Sequence, residues 1–510
     1  MRGILVSSTV TACAAALTLP FLASSPASPA TSPERPGARG SVPAALRPVS
    51  VPGSTQSLPL VTLGTADRAR VGGPAKEQGL PQQEVEPFSL VGIVWDDATA
   101  ELRGRAQVRT RAVGSGAWSG WQDVQTHDDD RPDLGSPEAR GGRLRGSTAP
   151  LWVGASDAIQ VRVRPDALAD RTPEGRSLPA GLRLELVDPG VDPAPARGAR
   201  AAAPPDLTEE ELASSTANLP LAPLGATEIP ALDKPASEAD IAAAGTGGRR
   251  TDDPAETTDT TDTTGTGGLS DIPDLGELTI PRVTDLVEEA ADSAEGADPQ
   301  DDSVAAGGRY VGPRPRIVTR AGWGADESLR EKGFSYTKRV RAAFVHHTAS
   351  GNRYTCAQSS SVIRGIYRYH VVSSGWRDLG YNFLLDKCGS IYEGRAGGVA
   401  KAVLGAHTLG FNSNSMGIAV LGSFGTTNPP AATVKALASL TAWKLGLFGA
   451  NPLGTTTLVS AGGNLFKKGT SVKLKVISGH RDGYATECPG DRLYGRLGAA
   501  RTAAARLQGR

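Results

Sequence analysis

The sequence predicts two folded units, a small all-β domain of sandwich or jelly-roll type and a C-terminal α/β domain, joined by a disordered linker. Three observations lead to this prediction. The 510 residues exceed what one ordinary hydrophobic core holds. Short runs of alternating apolar and polar residues occupy roughly positions 88–187. A low-complexity stretch then separates them from sequence of folded character, which resumes near Pro313 and contains apolar strands.

The N-terminus has the order of an export signal. Arg2 precedes an apolar stretch that ends near Leu22, and small residues and prolines follow. The stretch is too short and interrupted to span a bilayer, so we predict a signal peptide at 1–30 and a secreted, extracellular protein. Cys13 offers an alternative as a lipid-attachment residue, although the apolar run continues past it. Residues 31–80, rich in Pro, Ser, Ala and Gly, are predicted to be a flexible leader.

Residues 81–190 are predicted to form an accessory all-β domain. Period-two alternation is typical of strands with one face in water. The alternating runs are 90–95, 106–111, 159–164 and 182–186. Trp118 and Trp121 lie close together in this region. They are interpreted as core and turn packing or, alternatively, as platforms that stack on sugar rings of a wall polymer.

Residues 191–312 are predicted to form a disordered, acidic linker. Ala, Pro, Asp, Glu and Thr dominate it, with a Thr/Asp block at 257–265. Such a composition lacks the apolar material that would offset the entropy of ordering. Local helix is expected only near Leu212 or Val287.

Charge and cysteine counts limit the possible partners. The 54 Lys and Arg residues equal the 54 Asp and Glu residues, so no net charge favours nucleic acid or an anionic membrane. No later stretch is apolar enough for stable membrane insertion.

Beyond the signal, Cys356, Cys388 and Cys488 are an odd number for an oxidising compartment. The economical solution is a Cys356–Cys388 disulfide and a Cys488 thiolate protected by a metal.

Three residues in the C-terminal domain have the chemistry of a zinc site. Apolar residues 342–345 run into His346, a second apolar strand ends in Gly-His at His480, and Cys488 follows eight positions later. Two imidazoles and a thiolate leave a fourth position of tetrahedral Zn²⁺ open, as in catalytic sites. Taken singly, each residue is more commonly a buried core residue than a metal ligand, so the prediction depends on their conjunction.

A set of motifs around these residues resembles a known family. In chain order they are His346-His347-Thr348, Gly375-Trp376-Arg377-Asp378-Leu379-Gly380-Tyr381-Asn382-Phe383, Ile391-Tyr392-Glu393-Gly394-Arg395, Gly405-Ala406-His407-Thr408, Asn414-Ser415-Met416-Gly417-Ile418, Gly479-His480-Arg481-Asp482 and Thr486-Glu487-Cys488-Pro489-Gly490. Together they closely resemble peptidoglycan recognition proteins and N-acetylmuramoyl-L-alanine amidases, including phage amidase-type lysozymes. The resemblance implies a central mixed β-sheet flanked by helices within 313–510, and a peptidoglycan groove with zinc at one end.

The resemblance also assigns roles by position. His346, His480 and Cys488 bind Zn²⁺, while His347 packs and orients. Tyr381 and Thr486 occupy the family's catalytic positions. Members without activity typically replace the cysteine, which this chain retains. Physical chemistry is consistent with these roles, since zinc lowers the pKa of bound water and Tyr381 can donate to a developing oxyanion.

Further residues are candidates for contact with substrate. The resemblance places His407 near the muramyl peptide, and the amides of Asn412 and Asn414 offer hydrogen bonds to peptide or sugar oxygens. Arg395 suits a peptide carboxylate. His370 is expected on the buried side of a helix, where it serves the core.

The predicted function is zinc-dependent hydrolysis of the lactyl-L-alanine amide of peptidoglycan by a secreted, cell-wall-associated amidase. No His-Glu-x-x-His motif is present, which disfavours a zinc protease. One alternative is a binding module that keeps zinc for structure and does not cut. In another, the N-terminal β-domain carries the function through its own protein or polysaccharide partner.

Overall fold

The computed structural model describes residues 53–63, 77–126, 130–166, 178–191, 207–246 and 310–510, all of which belong to one compact unit. The predicted signal peptide, Cys13, most of the leader, and Val287 with the Thr/Asp block lie outside these residues. No helix in the described ranges is long and apolar enough to cross a membrane.

The N-terminal domain is all-β, as predicted. Its strands form an antiparallel sheet in the order β1-β8-β3-β7-β4-β5, with β2 and β6 also paired to β3. The strands are β1 (Ser54–Pro59), β2 (Val61–Thr62), β3 (Gln78–Trp95), β4 (Gly104–Ala112), β5 (Gln122–Val124), β6 (Gly146–Ser147), β7 (Leu151–Pro165) and β8 (Arg183–Asp188). One short helix, α1 (Pro137–Arg140), interrupts the strands.

This domain starts earlier than the composition indicates. β1 and β2 lie in the segment predicted to be a flexible leader, and β1 pairs with β8 along its whole length, from Ser54 opposite Asp188 to Pro59 opposite Arg183. Most side chains of β1 are exposed or half-buried. β1 is thus an edge strand held by backbone hydrogen bonds to β8, and such bonds leave little trace in composition.

The predicted linker also contains ordered structure. α2 (Glu209–Ala217) includes Leu212, where local helix is expected, and β9 (Glu228–Ile229) and α3 (Lys234–Thr246) follow. Polar contacts attach this stretch to the C-terminal domain, for example the hydrogen bond from Asn218 Nδ2 to Glu393 Oε1 at 2.8 Å. The prediction of a linker at these positions is wrong because a few apolar residues, such as Ala222 and Ile229, are buried in the core of the C-terminal domain and specific side-chain pairs add to this packing.

The C-terminal domain has the predicted mixed sheet flanked by helices. Its strand order is β17-β11-β14-β12-β13-β10-β9; β17, β11, β14 and β12 are parallel, whereas β13 and β9 each run antiparallel to a neighbour. The remaining strands are β10 (Ile317–Val318), β11 (Ala342–His347), β12 (Phe383–Leu385), β13 (Ile391–Glu393), β14 (Ser415–Val420) and β17 (Ile477–Gly479), with a separate hairpin of β15 (Thr455–Val459) and β16 (Ser471–Lys475).

Helices cover both faces of this sheet. The remaining helices are α4 (Arg320–Trp323), α5 (Ser359–Arg368), α6 (Ala431–Leu447), α7 (Asp491–Tyr494) and α8 (Leu497–Gln508). Successive residues of β14 point to opposite faces, so Ile418 packs in the core with α6 and α8, whereas Ala419 packs in the core with α5. The predicted disulfide is confirmed: Cys356 and Cys388 join the turn before α5 to the loop after β12, with their Cα atoms 6.2 Å apart.

The β-domain packs on α5. Both faces of β3 are buried: Val91 and Ile93 belong to the domain's own core, and Leu90 and Val94 share a core with α5 residues such as Ile366. The Tyr369 hydroxyl, just after α5, donates to the carbonyl oxygen of Thr148 at 3.1 Å. The C-terminal domain thus holds the β-domain in a fixed orientation.

Candidate metal centre

The two histidines of the centre stand side by side because their strands are parallel neighbours. Val345 of β11 pairs with Gly479 of β17, so the next residues, His346 and His480, leave the same edge of the sheet. Cys488 follows on the loop after the short 3-10 turn that begins at His480. The ligand atoms of these three residues lie within 4.8 Å of one another, and Cys488 Sγ is 3.8 Å from His346 Nδ1. Ligands of a tetrahedral zinc ion lie about 3.3–3.8 Å apart.

Strand alternation separates His346 from His347. His346 shares the face of β11 that carries Phe344, and the His347 side chain points to the opposite face, where its Nδ1 accepts a hydrogen bond from the Phe424 backbone at 3.4 Å. The backbone N–H of His347 donates to Cys488 Sγ at 3.4 Å. This arrangement is consistent with His346 as a metal ligand and with His347 as a neighbour that packs against the core and orients the site.

The chemistry of the three side chains fits a metal ion. All are fully buried, and burial, assisted by the neighbouring His346, lowers the pKa of His480 to about 3, which leaves a neutral imidazole with a free lone pair. Within the described residues, neither ring nitrogen of His480 has a hydrogen-bond partner. Buried polar atoms without partners are costly, and a bound cation would supply the missing interaction.

Tyr381 and Thr486 lie next to this cluster. The Tyr381 ring is 5.6 Å from the His346 ring, centroid to centroid, and its hydroxyl group points toward the ligand atoms. Thr486 Oγ1 accepts a hydrogen bond from the backbone N–H of Cys488 at 3.2 Å, so it braces the loop that carries the thiol. His370 is buried beneath, with its ring 5.7 Å from that of Tyr381, in agreement with a core role.

The candidate substrate residues divide into two groups. His407, Asn412 and Arg395 lie on the same side of the sheet as His346, and the His407 ring is 5.2 Å from the His346 ring. His407 is fully buried, and burial lowers its pKa well below the usual range. Asn414 is not brought to this cluster, because its side chain bonds to Thr337 Oγ1 at 3.0 Å and its backbone has a positive φ of 58°.

Thr408 is a further residue of the centre that the sequence did not identify. Its Oγ1 lies 3.4 Å from His346 Nε2 and 3.0 Å from His407 Nδ1. A hydroxyl at Nε2 can accept that N–H, so that Nδ1 faces the metal position, which is how outer partners orient metal-binding imidazoles. The position after His407 in the Gly-Ala-His-Thr run is the only signal for it in the sequence.

Three acidic residues of the β-domain also reach the centre, and the sequence did not point to them. They lie on residues 130–138, here called the acidic segment, which follows β5 and ends inside α1. Asp130 Oδ1 is 2.8 Å from His346 Nδ1 and 3.3 Å from His480 Nδ1, and its Oδ2 accepts from the Tyr381 hydroxyl at 2.7 Å. A run of three aspartates at 128–130, preceded by His127, was a signal in the sequence that could have drawn attention to this loop.

The rest of the acidic segment contacts the candidate substrate residues. Asp133 accepts hydrogen bonds from the Gly410 backbone and from Asn412 Nδ2, at 2.6 and 3.0 Å, and burial raises its pKa to about 6. Glu138 forms a two-pronged ion pair with Arg395, with N–O distances of 2.9 and 3.0 Å. Only 6% of either side chain is exposed.

Comparison with known proteins agrees with both domains. A family model described as N-acetylmuramoyl-L-alanine amidase matches residues 336–491, and one described as Rv3811 N-terminal galactose-binding domain-like matches residues 42–193. The second range begins before β1, consistent with a domain that starts ahead of residue 81.

Individual relatives match about a third of the chain. The chain is 30% identical over 181 residues to peptidoglycan-recognition protein SC2 of Drosophila simulans, a match that covers 36% of this chain and 84% of the relative. It is 33% identical over 179 residues to peptidoglycan recognition protein 1 of Bos indicus, covering 35% and 80%. The solved structure of wild-type Drosophila PGRP-LB aligns with 25% identity and a TM-score of 0.28, covering 36% of this chain and 92% of that one. The chain therefore belongs to the family of peptidoglycan recognition proteins and type 2 N-acetylmuramoyl-L-alanine amidases.

Proposed function

We propose that this protein is a secreted, zinc-dependent N-acetylmuramoyl-L-alanine amidase that hydrolyses the bond between the lactyl group of muramic acid and L-alanine in peptidoglycan. The observation that carries the proposal is the convergence of His346, His480 and Cys488 in one buried cluster. Two imidazoles and a thiol, with Tyr381 beside them, form a donor set for catalytic rather than structural zinc, since structural sites use four protein ligands of this kind.

The chain's own residues supply binding and orientation around the metal. A bound Zn²⁺ would polarise the scissile carbonyl and lower the pKa of water. The Tyr381 hydroxyl, at the edge of the cluster, is placed to donate to the oxygen that gains charge during amide cleavage. Removal of one such donor costs about a hundredfold or more in rate. Thr408 fixes the ring orientation of His346, and Thr486 fixes the loop of Cys488.

The substrate we propose is the muramyl peptide of bacterial peptidoglycan. The relatives are peptidoglycan recognition proteins by name, and one solved relative is in complex with monomeric diaminopimelic acid-type peptidoglycan. Arg395 supports this substrate class because a guanidinium binds carboxylates in a two-pronged geometry, and stem peptides carry carboxylates. Such a substrate lies in the cell wall, which agrees with the predicted export of the chain.

Mass spectrometry of digested peptidoglycan tests the proposal. Purified sacculi are incubated with the full chain, with Asp130→Asn and with Cys488→Ser, each with and without a chelator. Asp130→Asn is included because the Asp130 carboxylate lies against the ligand atoms, and a carboxylate bound to the metal would block hydrolysis in the full chain. We expect free stem peptides only from proteins that retain Cys488 and zinc. If neither the full chain nor Asp130→Asn releases peptides while zinc is bound, the protein is a binding module with a retained metal site.

A further inference from the structure

Asp130 lies directly against the ligand atoms of the cluster. Its Oδ1 is 2.8 Å from His346 Nδ1 and 3.3 Å from His480 Nδ1, yet it makes no hydrogen bond of regular geometry within the described residues. Within the described residues, Asp130 Oδ1 and His480 Nδ1 are both buried without a hydrogen-bond partner, and a cation between them would supply the missing interaction. Carboxylate oxygen is an ordinary zinc ligand, and with Cys488 Sγ it would make four.

The second oxygen of Asp130 engages the proposed oxyanion donor. Oδ2 accepts from the Tyr381 hydroxyl at 2.7 Å, so one carboxylate covers both the open side of the metal cluster and the tyrosine. A substrate carbonyl would need both of these positions. Asp130 and an incoming amide therefore exclude each other.

The rest of the acidic segment forms hydrogen bonds and an ion pair with the residues proposed to bind substrate. Asn412 Nδ2 donates to the carbonyl oxygen of Arg131 at 3.1 Å, as it does to Asp133. Arg395, the group proposed for a stem-peptide carboxylate, holds the Glu138 carboxylate instead. The backbone carbonyl of Arg131 and the carboxylates of Asp133 and Glu138 offer the same kinds of polar group as a peptide ligand.

Hydrogen bonds to the loop at 374–377 hold the C-terminal end of the segment and the chain that follows it. The backbone N–H of Arg377 donates to Glu138 Oε1 at 3.0 Å, and that of Arg145 donates to the carbonyl oxygen of Ser374 at 3.1 Å. The β-domain that carries the segment is fixed on α5 by apolar packing. A tethered ligand acts at a high effective concentration, which favours occupancy even when each contact is modest.

We propose that Asp130 is the fourth ligand of the metal centre and that the acidic segment is an intramolecular inhibitor, so that the described conformation is a latent form of the enzyme. The inhibitor role rests on the proposed amidase function; the ligand role does not. Withdrawal of the segment exposes the fourth coordination position, Tyr381 and Arg395 together. The opposing hypothesis is that Asp130 serves catalysis directly, as a base or as a positioning residue for Tyr381.

Metal binding is the first readout, measured on the full chain. Asp130→Asn keeps the size of the side chain but replaces the carboxylate by a weakly coordinating amide; Asp123→Asn, on β5 and paired with exposed Arg105, is the matched control. We expect the Zn²⁺ dissociation constant, from competition with a chromogenic chelator, to rise about tenfold or more in Asp130→Asn alone. The visible absorption of the Co²⁺-substituted protein should change only in that variant. Identical affinities and spectra in all three proteins would overturn the ligand role.

Hydrolysis of a soluble muramyl peptide separates the inhibitor from the catalytic hypothesis. We expect kcat/KM to increase about tenfold or more in Asp130→Asn, and to a smaller extent in Glu138→Gln, which leaves the metal cluster intact. A decrease in Asp130→Asn would overturn inhibition in favour of direct catalysis. If Asp130→Asn does not fold, an unchanged rate in Glu138→Gln would also overturn it. Altered metal binding without hydrolysis in any variant would instead refute the amidase proposal and leave the ligand role standing.

Discussion

The β-domain meets the C-terminal domain in two places whose chemistry differs. On α5 the contact is apolar, formed by Leu90, Val94 and Trp152 packed with Ile366 and its neighbours, and these side chains are at most 5% exposed. At the metal centre the contact is polar, formed by the three carboxylates of the acidic segment. One surface is a continuation of the protein core, and the other resembles a ligand in a binding site.

The difference indicates which contact is suited to move. Apolar burial stabilises without directional requirements and has no counterpart in the substrate. Buried carboxylates require partners, and any group that offers the same charges can replace them. The α5 contact is therefore expected to hold the domains together while the acidic segment exchanges with substrate.

A charge on the apolar surface should break both contacts at once. Leu90→Asp places a carboxylate without a partner in a fully buried position, which costs roughly 3–5 kcal/mol. We expect the β-domain to detach and carry the acidic segment with it. Hydrogen exchange should then accelerate both in α5 and in residues 130–143.

Val113→Asp is the control for that experiment. Val113 is 48% exposed on the same domain, and a charge there should change the free energy of unfolding by about 0.5 kcal/mol or less. Exchange rates in the acidic segment that stay slow in Leu90→Asp would show that the polar contact holds by itself.

Loss of the disulfide should weaken the apolar contact on α5 and leave the metal centre unchanged. The Cys356–Cys388 bond closes a loop that contains α5, and its removal in a Cys356→Ala/Cys388→Ala double variant should lower the free energy of unfolding by about 3–4 kcal/mol in the entropic model. Denaturant unfolding measures that change. The Zn²⁺ affinity of the folded variant should remain that of the parent chain, because the metal cluster lies on β11, β17 and the Cys488 loop. A parallel loss of metal affinity would contradict this separation.

The polar contact at the metal centre should contribute the least to the free energy of unfolding. A double-mutant cycle with Glu138→Gln and Arg395→Met should give a coupling energy of about 1–3 kcal/mol, since the pair is two-pronged and buried. The exposed Arg105–Asp123 pair, measured in the same way, should stay below about 1 kcal/mol. Equal coupling energies in the two cycles would mean that Glu138 and Arg395 interact no more strongly than an exposed surface pair.

Much of the metal centre could be predicted because its residues follow local patterns. An apolar strand that ends in histidine occurs at His346 and again at His480, and parallel strands bring such ends to one edge. Thr408 and the burial of His407 could not be predicted in this way. A loop that folds back over β14 places them, so that a Cβ atom on Gly417 would lie 2.4 Å from the His407 ring.

Composition failed where order depends on few apolar residues. β1 has the composition of a flexible leader, yet pairing with β8 orders it. The stretch from α2 to α3 has the composition of a linker, yet contacts such as the hydrogen bond of Asn218 with Glu393 order it. These interactions form between groups far apart in the chain. Side-chain composition, which measures the burial available locally, does not record them.

The sequence by itself determined the family, the all-β and α/β character of the two domains, the disulfide partners and the candidate ligands His346, His480 and Cys488. Each of these follows from periodicity, a counting argument or a motif of a few neighbouring residues. Only the tertiary structure decided that Asp130 lies against the ligands, because it is 251 positions from Tyr381, the residue it bonds. That contact exists because β3 packs on α5 and carries the acidic segment to the edge where β11 and β17 end.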